Sequence, residues 1–327
     1  MLGLITGFWV SQIVRTAAAL SVADHLSGRS MTAPEIAAAE ASDPAATFRL
    51  LRACTALNLV TYDQDSGQFA GTALLDTLRR ESPLSLRNMA LVQTAPAHWL
   101  SWGRFTDSVR AGATQIEAAV GSDLWAYFEK NPEEGQLFGA AMTDLSTPVI
   151  LEAAEVIDTS DVELVADIGG ANGAFVHELL VRNPKLRGIV FDLPTTLPGA
   201  QVGAERLGLE DRASTMAGDF FQSVPAANLY LLKYILHDWD DASCVHILRN
   251  VREAMAPGAR VVIVEMLVGE TADPGIGTLM DMNMLALASG KERDLHEFDA
   301  LLEAAGLRRS AVNSLQPPYC VIEAIAA

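Results

Sequence analysis

The chain has 327 residues, half of them hydrophobic, and a formal net charge of -18 at pH 7, so it can bury a sizeable core and accommodate two domains. The acidity argues against a duplex-binding surface, which needs Lys and Arg to neutralise phosphates, and no run of about 18 uncharged apolar residues indicates a membrane span. Three widely spaced cysteines, Cys54, Cys244 and Cys320, point to a reducing cytoplasm rather than a disulfide framework.

The opening MLGLITGFWVSQIVRTAAAL is apolar, is interrupted by Gln12 and Arg15, and lacks a basic leader. It reads as an amphipathic or buried helix and not as a signal peptide. The first hundred residues are nearly neutral, with seven arginines, no lysine and eight acids. Thr32 can cap a helix with Pro34 in its first turn, and Ser42-Asp43-Pro44 starts a second one in the same way. The apolar face of that second helix is Phe48, Leu51 and Leu57. The segment LVTYDQDSGQFAGT then alternates around a turn at Asp65–Gly67, which predicts a hairpin. Helix, turn, helix and hairpin make a winged-helix-like unit. Its second helix offers only Arg49 and Arg52, so the unit reads as a structural or dimerisation module rather than a DNA reader.

Residues 96 to 160 continue as helices that connect the domains. Their aromatics (Trp99, Trp102, Trp125, Tyr127, Phe128, Phe138) read first as core and second as a pocket wall. From Glu163 the pattern changes to alternating strands and helices. ELVADI, RGIVFD, ASTMAG, NLYLLKYIL and ARVVIVEML are strands; AFVHELLVRN, PGAQVGAERLG, DASCVHILRNVREAM and LHEFDALLEAAG are helices. Such alternation implies a parallel sheet covered on both faces. RRSAVNSL and YCVIEAIA, joined by a short turn, predict an antiparallel edge. The domain division is expected at 1–95 and 96–327.

VADIGGANGAF is a strand, a glycine-rich turn and a helix start, the arrangement that brings a ligand against free backbone N–H groups. Asp192 ends the next strand, where an acid can hold two ribose hydroxyls. A dinucleotide fingerprint needs glycines at i, i+2 and i+5. The glycines here are Gly169, Gly170 and Gly173, preceded by Asp167, so the spacing fits an adenosine-type ligand without a pyrophosphate. In YILHDWDD an apolar strand stops at His237, at the end where open α/β sheets keep their chemistry. Histidine is the side chain whose unperturbed pKa lies nearest neutrality. Glu265 follows an apolar strand, where a charge is costly unless paired. Asp238, Asp240 and Asp241 read as a helix N-terminus, with Asp238 also able to orient His237. His25, His98, His177, His246 and His296 read as structural or surface groups. No CxxC or HExxH is present, so no metal is expected.

With these pieces in place, the chain resembles the S-adenosylmethionine-dependent O-methyltransferases of the caffeic-acid and flavonoid type, including their bacterial natural-product relatives. GFWVSQ, FRLLRA, DIGGANG, FDLP, GDFF, LLKYILHDW, AMAPGARVVIVE, DMNMLALASGKER and EFDALLEAAGL carry the likeness along nearly the whole chain. The resemblance implies a Rossmann-like class I methyltransferase sheet, mostly parallel with an antiparallel edge, and an α-helical winged-helix-like N-terminal dimerisation domain. It implies S-adenosylmethionine as cofactor, with S-adenosylhomocysteine as product. Asp167, Gly169, Gly170 and Gly173 would form the cofactor loop, Asp192 would hold the ribose, Asp219 and Phe220 would meet the adenine, and Lys233 would lie nearby. His237 would be the general base, flanked by Glu265 and Glu292. Trp125, Met142, Asp281, Asn283 and Met284 would border the substrate. The implied assembly is a cytoplasmic homodimer that binds a small aromatic molecule and neither nucleic acid nor membrane. The loop departs from the family pattern at Ala171, where a glycine is usual.

Methyl transfer from a sulfonium is an in-line displacement, so much of the task is positioning. The rest is proton removal. A phenol near pKa ~10 and an imidazole near ~6.5 leave a gap of about 3.5 units, roughly 5 kcal/mol. Two carboxylates beside the imidazole narrow that gap by stabilising its protonated form. An aliphatic hydroxyl near ~15.7 leaves about nine units, so a phenolic or enolic hydroxyl is the expected acceptor. The alternatives are a relative that uses the same cofactor for decarboxylation or hydroxylation, and a winged-helix DNA-binding protein.

Overall fold

The computed structural model describes residues 1–82, 85–269 and 275–327. They divide into two units, residues 1–103 with 119–146, and residues 104–118 with 147–327.

In the first unit, Thr32 and Glu35 form a reciprocal capping box at the helix Ala33–Ala39. Asp43 caps the helix Pro44–Ala56 by accepting from the Ala46 N–H at 2.7 Å. Both caps satisfy backbone donors that a helix start leaves free. Strands β1 (Ser30–Thr32), β2 (Val60–Asp63) and β3 (Gln68–Gly71) form an antiparallel sheet in the order β1-β3-β2. The Asp63 carboxylate accepts from the N–H groups of Asp65 and Ser66, and Gly67 takes φ +68 to close the turn. The hairpin is therefore where the turn chemistry predicts it. β1 is three residues long and has no alternation to announce it. The core gathers Ala17, Val22, Ile36, Leu51, Cys54 and Phe69. Leu51 is fully buried, whereas Phe48 is exposed and sets its ring edge-on to Tyr62 and Phe69. Residues 96–103 and 119–146 join this unit through local contacts: the Ala97 N–H donates to Glu134 at 2.9 Å, and the Phe138 ring lies 4.8 Å from Phe128 and 6.0 Å from Trp125.

The second unit is built on a seven-stranded sheet. Its strands are β4 (Leu164–Ile168), β5 (Arg187–Asp192), β6 (Ala213–Ala217), β7 (Leu229–Lys233), β8 (Arg260–Met266), β9 (Leu307–Ser314) and β10 (Tyr319–Ala326), in the order β6-β5-β4-β7-β8-β10-β9. The first five of that order run parallel; β10 is antiparallel to both β8 and β9. One face is packed by Phe175, Leu179 and Leu180 of the helix Ala174–Arg182, the other by Ile247, Leu248, Phe298 and Leu302. Burial on both faces explains why β7 and β8 read as continuous apolar runs. Strand order reverses between β4 and β7, and such a switch point opens a crevice at the carboxyl ends of the strands.

Two features differ from the sequence reading. β7 stops at Lys233 because Tyr234 adopts φ +56, although the apolar run continues through Leu236. The helix Gly277–Leu287 is apolar on most sides and so lacks the one-sided stripe that marks a surface helix. Among the described residues, no helix is long and apolar enough to cross a membrane.

Candidate active site

β4 ends at Ile168 and the chain turns through Gly169, with φ +68 and its N–H bonded to the Phe191 carbonyl at 2.8 Å. A Cβ at residue 170 would lie 2.8 Å from the Asp167 carboxylate, and one at residue 173 would lie 2.8 Å from both His177 and Val190. These glycines let the loop fold tightly over Asp167 and start the helix Ala174–Arg182. Ala171 also takes a left-handed conformation, φ +49, where an L-residue is strained by about 1–2 kcal/mol. Its N–H donates to Asp192 Oδ2 at 2.8 Å, so the strained turn is held by the acid that ends β5. Replacing Ala171 by glycine removes the strain but adds about 0.4–1 kcal/mol of unfolded-state entropy. Ala171→Gly is therefore expected to raise Tm by about 1–2 °C in a thermal unfolding scan. A Tm below wild type would show that the turn stores no strain.

Asp219 and Phe220 follow β6. Asp219 accepts from the Phe221 N–H at 2.8 Å, and Phe220 packs on Phe221 and Trp239. The Gly218 N–H bonds to the Asp192 carbonyl, and a Cβ at 218 would meet the Phe191 ring at 2.4 Å. Lys233 ends β7, with Nζ 4.4 Å from the Tyr234 ring centroid. Burial lowers the Lys233 pKa, opposed by Asp167, Glu265 and Asp238. Burial also pushes the Asp167 carboxyl up to about 7, with Lys233 pulling it back. Asp167, Asp192, Asp219 and Lys233 thus stand at the carboxyl ends of four adjacent strands.

His237 lies in a single 3-10 turn, Leu236–Asp238. Its Nδ1 is 2.9 Å from Glu292 Oε1 and 3.7 Å from Glu265 Oε2; its Nε2 is 3.6 Å from Asp238 Oδ1. Glu265 is fully buried on β8, and its Oε1 accepts from the Ile235 and Leu236 N–H groups at 3.1 and 3.0 Å. The remaining oxygens, Glu265 Oε2 and Glu292 Oε2, are buried without a hydrogen-bond partner among the described residues. Burial alone would lower the imidazole pKa, but Glu265, Asp238 and Glu292 outweigh it and raise His237 to about 10. Burial pushes the Glu265 and Asp238 carboxyls up, the latter to about 6, and in both His237 opposes the shift. The cluster therefore favours an imidazolium, and its conjugate base matches a phenol near ~10 in proton affinity.

The Asp281 carboxylate accepts from the Glu292 N–H at 3.1 Å, which anchors the residue facing His237. Asn283 and Met284 lie on the same helix, Gly277–Leu287, with Met284 buried. Trp125 and Met142 belong to the first unit; Trp125 is exposed and packs edge-on to Phe128 and Phe138. Asp240 caps the helix Asp241–Ala254 as expected, accepting from the Ser243 N–H. Sequence reasoning missed Tyr234, whose ring lies 5.7 Å from that of His237, and Arg293, which is 1% exposed. Tyr234 is hidden in an apolar run and Arg293 in a charge run, so patterning offered no signal for either.

Residues 2–90 match the O-methyltransferase dimerisation domain and residues 102–308 match the O-methyltransferase domain. The chain is 32% identical to the phenazine O-methyltransferase PhzM of Lysobacter antibioticus, over 99% of its own length and 95% of that protein's. It is 35% identical to the O-demethylpuromycin-O-methyltransferase of Streptomyces alboniger, over 99% of its length and 88% of that protein's. A crystal structure of the O-methyltransferase NcsB1 from neocarzinostatin biosynthesis, in complex with S-adenosylhomocysteine and 1,4-dihydroxy-2-naphthoic acid, matches with a TM-score of 0.83 and 32% identity. That match covers 97% of this chain and 96% of NcsB1.

Proposed function

The chain belongs to the O-methyltransferases that pair a catalytic with a dimerisation domain, and on that premise we propose that it methylates a phenolic or enolic hydroxyl of a small aromatic or polyketide natural product, with His237 as general base. S-adenosylmethionine supplies an electrophilic methyl group on a sulfonium when bound. The residues present suit it. Glycines at 169, 170 and 173 let the turn fold tightly over Asp167 at the end of β4, Asp192 ends β5 where a ribose can be held, and Asp167 and Lys233 place opposite charges beside the turn. Asp219 and Phe220 would border the adenine.

The observation that carries the base assignment is the triad: the half-buried His237 imidazole, 2.9 Å from the buried Glu292 and 3.7 Å from the buried Glu265. His237 takes the acceptor's proton as its hydroxyl attacks, and the two carboxylates stabilise the imidazolium so formed. Asp281, through the Glu292 N–H, would hold that carboxylate in place, with Asn283 and Met284 beside the acceptor. Trp125 and Met142 join the acceptor site on the family likeness alone. A homodimer formed through the N-terminal domain agrees with the exposed Leu2, Leu4, Ile5, Phe8 and Trp9, since exposed apolar patches mark interaction sites.

Calorimetric titration tests the cofactor site without knowledge of the acceptor. S-adenosylhomocysteine is expected to bind and NAD is not, because the glycine spacing lacks a pyrophosphate cradle. Binding of NAD alone would overturn the reading.

A further inference from the structure

His237 is carried by a three-residue turn, and the backbone just before it is left-handed at Tyr234. Non-glycine residues hold such a conformation only where their surroundings over-determine it. The turn that follows is packed by residues 290–293. Arg293 is fully buried and aims its guanidinium at this turn. Nη1 donates to the Leu236 carbonyl at 2.9 Å and Nη2 to the Trp239 carbonyl at 2.8 Å. Nε and Nη2 both donate to Asp241 Oδ1, at 3.0 and 2.8 Å. The acceptors lie before and after His237, so one rigid fork spans the turn that carries it. A Cβ at residue 290 would sit 2.0 Å from the His237 carbonyl oxygen and 2.4 Å from the Trp239 nitrogen. Only glycine lets the segment pass this close. Glu292, whose carboxylate meets His237 Nδ1, is the neighbour of Arg293, so the charge partner and the clamp arrive on adjacent residues.

A buried guanidinium is costly, and apolar side chains often stabilise an interior equally well. What apolar packing cannot do is fix two carbonyls and a carboxylate in one plane, as the guanidinium fork does. We propose that Arg293 is a positioning residue for His237: it holds the 236–241 turn so that Nδ1 stays against Glu292 and Glu265. This rests on the reading of His237 as general base.

The test compares Arg293→Lys, Asp241→Asn and His237→Gln with wild type. Arg293→Lys keeps the charge and loses the fork. It is expected to bind S-adenosylhomocysteine within about threefold of wild type, because the Gly169–Gly173 turn is untouched, and to lose about 100-fold in kcat, the usual effect of a misplaced reacting group. As the ring drifts from its carboxylates, the pH limb of kcat/KM should move down by about one unit. A purely structural role would not move that limb. Arg293→Ala supplied with guanidinium ion should recover about tenfold in kcat over the same variant without it. Asp241 is largely exposed, so Asp241→Asn loosens the clamp without threatening the fold; if the arginine variants do not fold, it should still show a smaller kcat loss and the same direction of shift. Folded Arg293→Lys or Asp241→Asn enzymes with an unmoved pH limb overturn the proposal, whether or not kcat falls. Turnover retained in His237→Gln would instead sink the base assignment itself.

Discussion

His237→Gln is expected to lower kcat on a phenolic acceptor by about 10²–10⁴-fold at the alkaline pH where the imidazole is free to act, the usual worth of a positioned general base. Glutamine is close in size and keeps the turn filled, but it cannot take a proton. The affinity for S-adenosylhomocysteine should stay within about threefold, because the proposed cofactor contacts come from the turn after β4 and the ends of β5 and β6. Steady-state kinetics and calorimetry on the same preparation separate the two effects. If kcat stays within about tenfold of wild type, the acceptor loses its proton to water or to another group, and the triad has a different task.

The second large effect is expected from Glu292→Gln and lies in the pH dependence. In the folded protein the carboxylates hold His237 near 10, above its unperturbed value. The imidazolium is thus the resting form near neutrality, and the base appears only as pH rises. Activity should therefore climb through the alkaline range, with the limb of kcat/KM reporting the free protein. Glu292, 2.9 Å from Nδ1, stabilises the imidazolium. Its removal lowers the His237 pKa, so the limb moves to lower pH, while the plateau falls because a less basic imidazole meets the same phenol. A shift of one unit or more, with a plateau loss of about tenfold or more, follows from roughly 1.36 kcal/mol per unit. A limb that stays in place would show that Glu292 does not set the basicity of His237. The same sign applies to stability. A raised histidine pKa favours the folded state below the unperturbed value, and that contribution fades as pH rises through about 10.

The parts of the site legible in the sequence were those set by neighbours in the chain. The turn after β4 needs glycines at 169, 170 and 173 because a Cβ at the last two collides and the first has a positive φ. The carboxylate that ends β5 and the histidine that follows β7 sit where apolar runs stop. Asp43 and Asp240 cap helices by bonds to residues three positions on. The likeness to the O-methyltransferases added Glu265 and Glu292, which patterning alone leaves as a buried charge and a solvated charge run. Arg293, in that same run, went unread although it is buried and bonded to both sides of the turn that carries His237.

Sequence by itself determined the alternation of strands and helices, the glycine turn and the class of ligand, because hydrophobic period, caps and positive φ are local properties. Tertiary structure decided what meets across the chain. His237 and Glu292 are 55 residues apart and come within hydrogen-bonding distance because Arg293 bridges to Leu267 just beyond β8 and Gly290 admits the later segment against the turn. Residues 119–146 group with the first unit rather than with the residues that follow them. β7 ends early because Tyr234 takes a left-handed conformation, φ +56. No local pattern encodes such meetings; they follow from strand order, and from the buried carboxylates and guanidinium that must find partners once water is excluded.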